Sequence, residues 1–187
     1  MRADARRNYE RIVAAAREAF TELGPETAPL DDIARRAHVG AGTLYRHFPS
    51  REALMEAVYR DDIERVSNLA YELLETRPPG QALGEWMRAQ IAFVLQKRGL
   101  ATSLKAALDR NGETFASCKT MISEAAAALL KAATEAGAVR TDIEPGDLLR
   151  MGHAIGLATE ATPEATERLI TVVLDGLRPP QGPATGS

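Results

Sequence analysis

The stretch LDDIARRAHVGAGTLYRHFPSR, residues 30–51, decides the fold. Leu30, Ile33, Ala34 and Ala37 recur at helical spacing and line one face of a short helix. His38-Val39-Gly40 interrupts that helix, and Gly40 is a competent N-cap for the next. The second short helix, Ala41 to His47, carries Leu44 inward, with Phe48 just beyond it. Thr43, Arg46 and His47 point outward, and Tyr45 lies on the border of the two faces. Pro49 then closes the run and Ser50 starts a new helix. Two helices of about two turns, joined by a tight turn, form a helix-turn-helix, whose second helix can enter a DNA major groove.

The outward residues have chemistry suited to that groove. Arg46 is the candidate for base readout, because a guanidinium bonds guanine O6 and N7 together. Thr43 and Tyr45 carry hydroxyls that reach phosphate oxygens, although each also serves as an ordinary helix residue. His47 suits a phosphate or a base edge better than a metal, since no second ligand stands at suitable spacing. Ala41 and Gly42 leave room for close approach, and Ala41 can touch a thymine methyl. Arg51, at the N-terminus of the following helix, is placed to reach phosphate together with the positive end of the dipole. Asp31 and Asp32 suit the macrodipole of their own helix and read as structural. Arg2, Arg6 and Arg7 read either as a solvated helix start or as an arm on the phosphate backbone.

The string GTLYRHF followed by PSREAL, Gly42 to Leu54, resembles the DNA-binding domain of the TetR family of transcriptional regulators. Tyr9, Ile12, Val13, Ala16, Phe20 and Leu23 supply the stripe of a first helix ended by Gly24, as in that family. Ile33-Ala34 falls where its second helix has an Ile-Ala pair, and Ser50-Arg51-Glu52 opens the fourth helix. The match runs from about Tyr9 to Tyr59. It departs at three places: His38 stands where the family often has Gly, Gly40 where it often has Ser or Thr, and Ala28-Pro29 where a Thr/Ser pair often touches phosphate. The resemblance implies an all-α chain of about nine helices, with an N-terminal three-helix helix-turn-helix domain and a C-terminal helical ligand-binding and dimerisation domain. It implies a ligand-responsive homodimer on palindromic double-stranded DNA, a repressor by family expectation. An activator or a ligand-independent DNA-binding protein of the same fold is the alternative.

Composition agrees with this reading without requiring it. The 187 residues are 45% hydrophobic and 26% charged, enough for a substantial core and unlike a disordered chain. The net charge of −3 is unevenly spread: residues 1–51 hold nine Arg against seven acids, whereas the remainder is acidic on balance. One cysteine excludes an internal disulfide framework, and no metal or other cofactor is expected. The charged N-terminus is unlike a signal peptide, and no apolar run spans a bilayer, so a cytoplasmic protein without membrane partners is expected. An enzyme is disfavoured by the lack of a Gly-rich phosphate loop, HExxH or GxSxG.

The expected division is a DNA-binding domain over 1–50, a regulatory and dimerisation domain over 51–178 and a disordered tail over 179–187. A helix over 50–76 connects the first two, and in the family it transmits ligand occupancy. Pro78-Pro79-Gly80 ends it. Beyond lie expected helices over Gln81–Lys97, Leu100–Leu108, Glu113–Ala136, one starting at Gly146-Asp147, and one at Thr162-Pro163-Glu164. Trp86, Phe93, Phe115, Met121 and Met151 are the large side chains available to an apolar or amphipathic small-molecule effector, with Gln90, Cys118 and His153 as candidate polar anchors. All of them also read as ordinary core. The last two helices are the expected dimer seam, through Gly152, Ile155 and Gly156 on one and Leu169, Ile170, Val173 and Leu177 on the other. Packing within one chain is the alternative for both.

Overall fold

A computed structural model describes residues 2–107 and 113–179. Among these residues there are eight helices and no strand: α1 (Arg2–Leu23), α2 (Leu30–Arg36), α3 (Ala41–His47), α4 (Arg51–Thr76), α5 (Pro79–Ala107), α6 (Glu113–Glu135), α7 (Pro145–Ala158) and α8 (Pro163–Gly176). The count is eight, not nine, because α5 continues through Lys97–Leu100, where a break was expected. The only helix-breaking residue there is Gly99, and a single interior Gly costs about 1 kcal/mol, too little to interrupt a run of good helix formers. The expected stop at Asp109–Gly112 and the tail from 180 onward lie outside the described residues.

Start and stop signals act as their chemistry dictates. Ser50 Oγ accepts from the Ala53 N–H at 3.2 Å and caps α4. Glu144 and Asp147 form a reciprocal capping box at α7, with Pro145 in its first turn. Gly24 (φ +85°) and Gly137 (φ +66°) end α1 and α6 in the left-handed conformation that glycine tolerates.

The chain divides into two compact units, and α4, α5 and α6 contribute to both. The first comprises residues 1–63 and 96–118. Its core joins Ile12, Val13, Ala16 and Phe20 of α1 to Ile33 and Ala34 of α2, Leu44 of α3, and Leu54, Met55 and Val58 of α4. Leu100 is buried with them, and Phe115 packs on the same cluster, so this unit extends beyond a boundary at residue 50. Leu23, expected in the α1 stripe, is 47% exposed on the last residue of the helix.

The second unit comprises residues 64–95 and 119–187. Leu73 of α4, Leu83, Trp86 and Met87 of α5, Leu129 of α6 and Leu148 of α7 are buried together. Ala125, Ala126 and Ala133 give α6 a flat face for close packing. Fully burying one such Leu contributes about 1.5–3 kcal/mol. Trp86 is fully buried and its Nε1 donates to the Val66 carbonyl at 2.8 Å, which fastens α5 to α4.

Candidate nucleic-acid interface

The reading head is built around the corner between α2 and α3. The chain turns there because His38 adopts φ +52°, a conformation unusual for any residue but glycine. Arg11 of α1 secures the turn: its Nε donates to the Ala37 carbonyl at 2.8 Å and its Nη2 to the His38 carbonyl at 2.6 Å. These are carbonyls that a helix end leaves without partners. Val39 N–H bonds the Ala34 carbonyl at 3.0 Å and completes the corner.

Two further arginines fix the helices on which α3 is mounted. Arg17 of α1 bonds Asp61 and Asp62 of α4, the latter at 2.6 Å and almost fully buried. Arg51 Nη1 donates to the Pro25 carbonyl at 2.9 Å and the Ala28 carbonyl at 2.7 Å. Nη1 of the arginine expected to reach phosphate is thus engaged within the chain.

On the mounted helix the sequence pattern becomes a surface. Leu44 and Phe48 are buried, whereas Ala41, Gly42, Tyr45 and Arg46 are exposed and Thr43 is half-buried. Apart from chain neighbours and the helix's own backbone, no atom lies within 4 Å of where a Cβ at Gly40 or Gly42 would stand, so the start of α3 is open to a partner. Arg46 folds back along its helix, with Nε on the Gly42 carbonyl at 3.1 Å and Nη2 on Thr43 Oγ1 at 2.9 Å. Tyr45, 48% exposed, extends outward. His47 is half-buried, edge-on to Tyr9 with ring centroids 6.3 Å apart. Thus Ala41, Gly42, Thr43, Tyr45 and Arg46 share one face, His47 borders it, and Arg51 serves beneath it.

Charge is held close on this head. Arg6 pairs with Glu10, Arg7 with Asp4, Arg35 with Asp32, and Arg36 with both Asp32 and Glu22. The Glu22 hydrogen bond, more than the neighbouring charges, pushes the Arg36 guanidinium up from its ordinary range. Among the described side chains, every arginine from Arg6 to Arg51 donates to an acceptor in its own chain. Sequence reasoning missed Arg11 and Arg17 because their partners lie 26 and 45 residues away.

The candidate effector residues divide between the units. In the first, Phe115 stacks against Tyr59 with centroids 5.6 Å apart, and Cys118 is buried. Burial pushes the Tyr59 phenol up from its ordinary range, with Cys118 adding to it. In the second, Trp86 is a core pin and Gln90 is buried. Phe93, Met121 and Met151 are half-buried, and Met151 lines a surface groove with Ile143, Arg150 and Val172. His153 is exposed on α7 and does not turn into the unit.

Packing within the chain takes up part of the expected seam. A methyl group on Gly152 would overlap the Gln90 side chain, and one on Gly156 would stand 2.7 Å from Val94 Cγ1. Both glycines therefore accommodate α5 of their own chain. Ile155 and Ile170 are buried with Ile91, Leu177 is buried in the larger cluster, and Val173 packs against both. Ile170, Val173 and Leu177 form the inward stripe of α8, and Leu169 belongs to the opposite one. The exposed large apolar residues on these helices are Leu157, Leu169 and Val172, the last 67% exposed.

No helix among the described residues is long and apolar enough to cross a membrane. Residues 12–58 match the model described as bacterial regulatory proteins, tetR family, and residues 78–179 match that of the transcriptional regulator SbtR-like C-terminal domain. The HTH-type transcriptional regulator UidR of Escherichia coli strain K12 is 31% identical over 150 residues, covering 76% of this chain and 74% of UidR. The crystal structure of the TetR transcriptional regulator SCO0520 from Streptomyces coelicolor is similar with a TM-score of 0.82 and 40% identity, over 92% of this chain and 99% of that one. A TetR regulatory protein from Mycobacterium vanbaalenii gives 0.78 and 36%, over 95% and 98%. With a helix-turn-helix whose outer face is open and family matches over residues 12–58 and 78–179, the chain belongs to the TetR family of DNA-binding transcriptional regulators.

Proposed function

We propose that the chain is a ligand-responsive repressor that binds a palindromic operator as a homodimer and leaves it when a small apolar or amphipathic effector is bound. The observation that carries the reading is the outer face of α3, where Tyr45 and Arg46 stand beside the bare stretch Gly40-Ala41-Gly42. Arg46 supplies base readout once it exchanges its own-helix acceptors for a guanine edge, and Thr43 and Tyr45 supply phosphate contacts.

One seven-residue helix reads few bases, so a two-fold pair reading half-sites about 34–36 Å apart is the economical arrangement. Leu157, Leu169 and Val172 supply an apolar face for the mate. Effector binding in the second unit shifts the population of dimers away from operator spacing, with α4, α5 and α6 as the helices common to both units.

Selection of bound duplexes from a random DNA pool, at stated salt, tests the reading. An enriched palindrome is the expected result. Enrichment of a single half-site sinks the dimer, and no enrichment by folded protein sinks the apo-binding repressor in favour of a form that needs its ligand to bind.

A further inference from the structure

In the second unit, the buried polar side chains among the described residues are Ser67, Gln90 and Thr159. Thr159 is satisfied, since its hydroxyl donates to the Ile155 carbonyl at 2.9 Å and accepts from Thr166 at 2.8 Å. Ser67 Oγ and Gln90 Oε1 have no hydrogen-bond partner among the described residues. Each is at least nine-tenths buried. An apolar side chain of similar size would fill either place without the desolvation cost, so the polar atoms are kept against stability.

Both sites lie on helices that one hydrogen bond joins. The Trp86 Nε1 bond to the Val66 carbonyl holds α5 against α4 beside Ser67, and Gln90 lies one turn beyond Trp86 on α5. On its other side Gln90 meets α7. Its side chain occupies the notch left by Gly152, where an added methyl would overlap Oε1 and stand 2.8 Å from Cδ. A side chain at this position would displace the amide from where it lies, and Gly152 leaves it that room.

The chemistry of an occupant follows from what surrounds these atoms. None of the buried described side chains of the unit is Arg or Lys, and Arg88 is engaged at the surface by Glu167. A carboxylate or phosphate placed here would meet no counter-charge. Gln90 Oε1 calls for a donor, and Ser67 accepts or donates.

We infer that Gln90 and Ser67 are the polar anchors of the effector site, and that the effector is an uncharged molecule with an apolar body and a hydroxyl or N–H donor. This rests on the reading that the second unit takes an effector. Capture of Gln90 draws its amide out of the Gly152 notch, and the loosened α5–α7 contact is the first step of the response.

The test uses the full chain, the selected operator and two probes of equal chain length, octanol and octanoate. Octanol is expected to raise the melting temperature and weaken operator binding at least tenfold, with octanoate less than a tenth as effective. Gln90→Leu should raise the melting temperature of the ligand-free protein and erase the octanol shift. Gly152→Ala, which expels the amide, should weaken operator binding about tenfold without ligand, and Gln90→Ala in the same chain should restore both binding and melting temperature. An octanol response that survives Gln90→Leu, or a double variant that recovers nothing, overturns the assignment. Release by octanoate and not by octanol overturns it while leaving the regulator reading intact. An operator that neither probe nor Gly152→Ala releases overturns both.

Discussion

His38 holds a left-handed backbone at the corner of the reading head without being a glycine, at a cost of about 1–2 kcal/mol. Replacing it with Gly removes that strain and adds some unfolded-chain entropy, so His38→Gly should stabilise by about 1 kcal/mol in urea unfolding. A loss of stability would instead assign the imidazole a contact of its own. Arg51→Ala should destabilise by about 1–3 kcal/mol, because the Pro25 and Ala28 carbonyls lose their donor. If its urea midpoint is unchanged while affinity falls equally for all sequences, Arg51 is a phosphate contact after all. Arg46→Ala should relax base preference in a repeat of the duplex selection, and unchanged preference with weaker binding would reject it as the reader. The outward face of α3 was legible in the sequence because period fixes face. The partners of Arg11, Arg17 and Arg51 were not, since a long guanidinium reaches carbonyls and carboxylates that only the fold brings near.

At the scale of elements, α8 shows how a pattern misleads when two stripes adjoin. Leu169 and Ile170 are neighbours in sequence and lie on different faces, one exposed and one buried with Ile91. The helix boundaries at Pro163 and Gly137 were readable because those residues act locally, whereas the run of α5 past Gly99 depended on weighing one weak breaker against many helix formers. Leu157→Glu with Val172→Glu should convert the proposed dimer to a monomer in sedimentation while leaving the helical circular dichroism unchanged, since both are exposed within the chain. A variant that still sediments as a dimer places the mate elsewhere. A second element-scale prediction concerns the α5–α8 link. The hydrogen bonds from Arg88 hold the Glu167 carboxyl below its ordinary range, at 2.6–3.2 Å. A depressed carboxyl contributes stability above its unfolded pKa and loses it as the pH falls through the folded one. Melting curves of Glu167→Gln should therefore lie slightly below those of the unaltered protein at neutral pH and converge with them in acid; exposure keeps the gap small.

For the whole molecule, the decisive quantity is charge that is present but already engaged. The first 51 residues carry a balance of only +2, and the described arginines of that segment are bonded within the chain. Two such heads should neutralise only a few phosphates, so log affinity against log salt should fall with a slope of about −4. A slope near −8 to −10 would show that the internal pairs open on DNA. The consequence reaches beyond affinity. Adhesion to arbitrary sequence is what keeps a regulator sliding along the duplex between targets. A head with its positive charge turned inward should spend short residence times on the wrong DNA and find its site mainly by repeated encounters from solution. Its arrival rate at the operator should then change little when surplus genomic DNA is added.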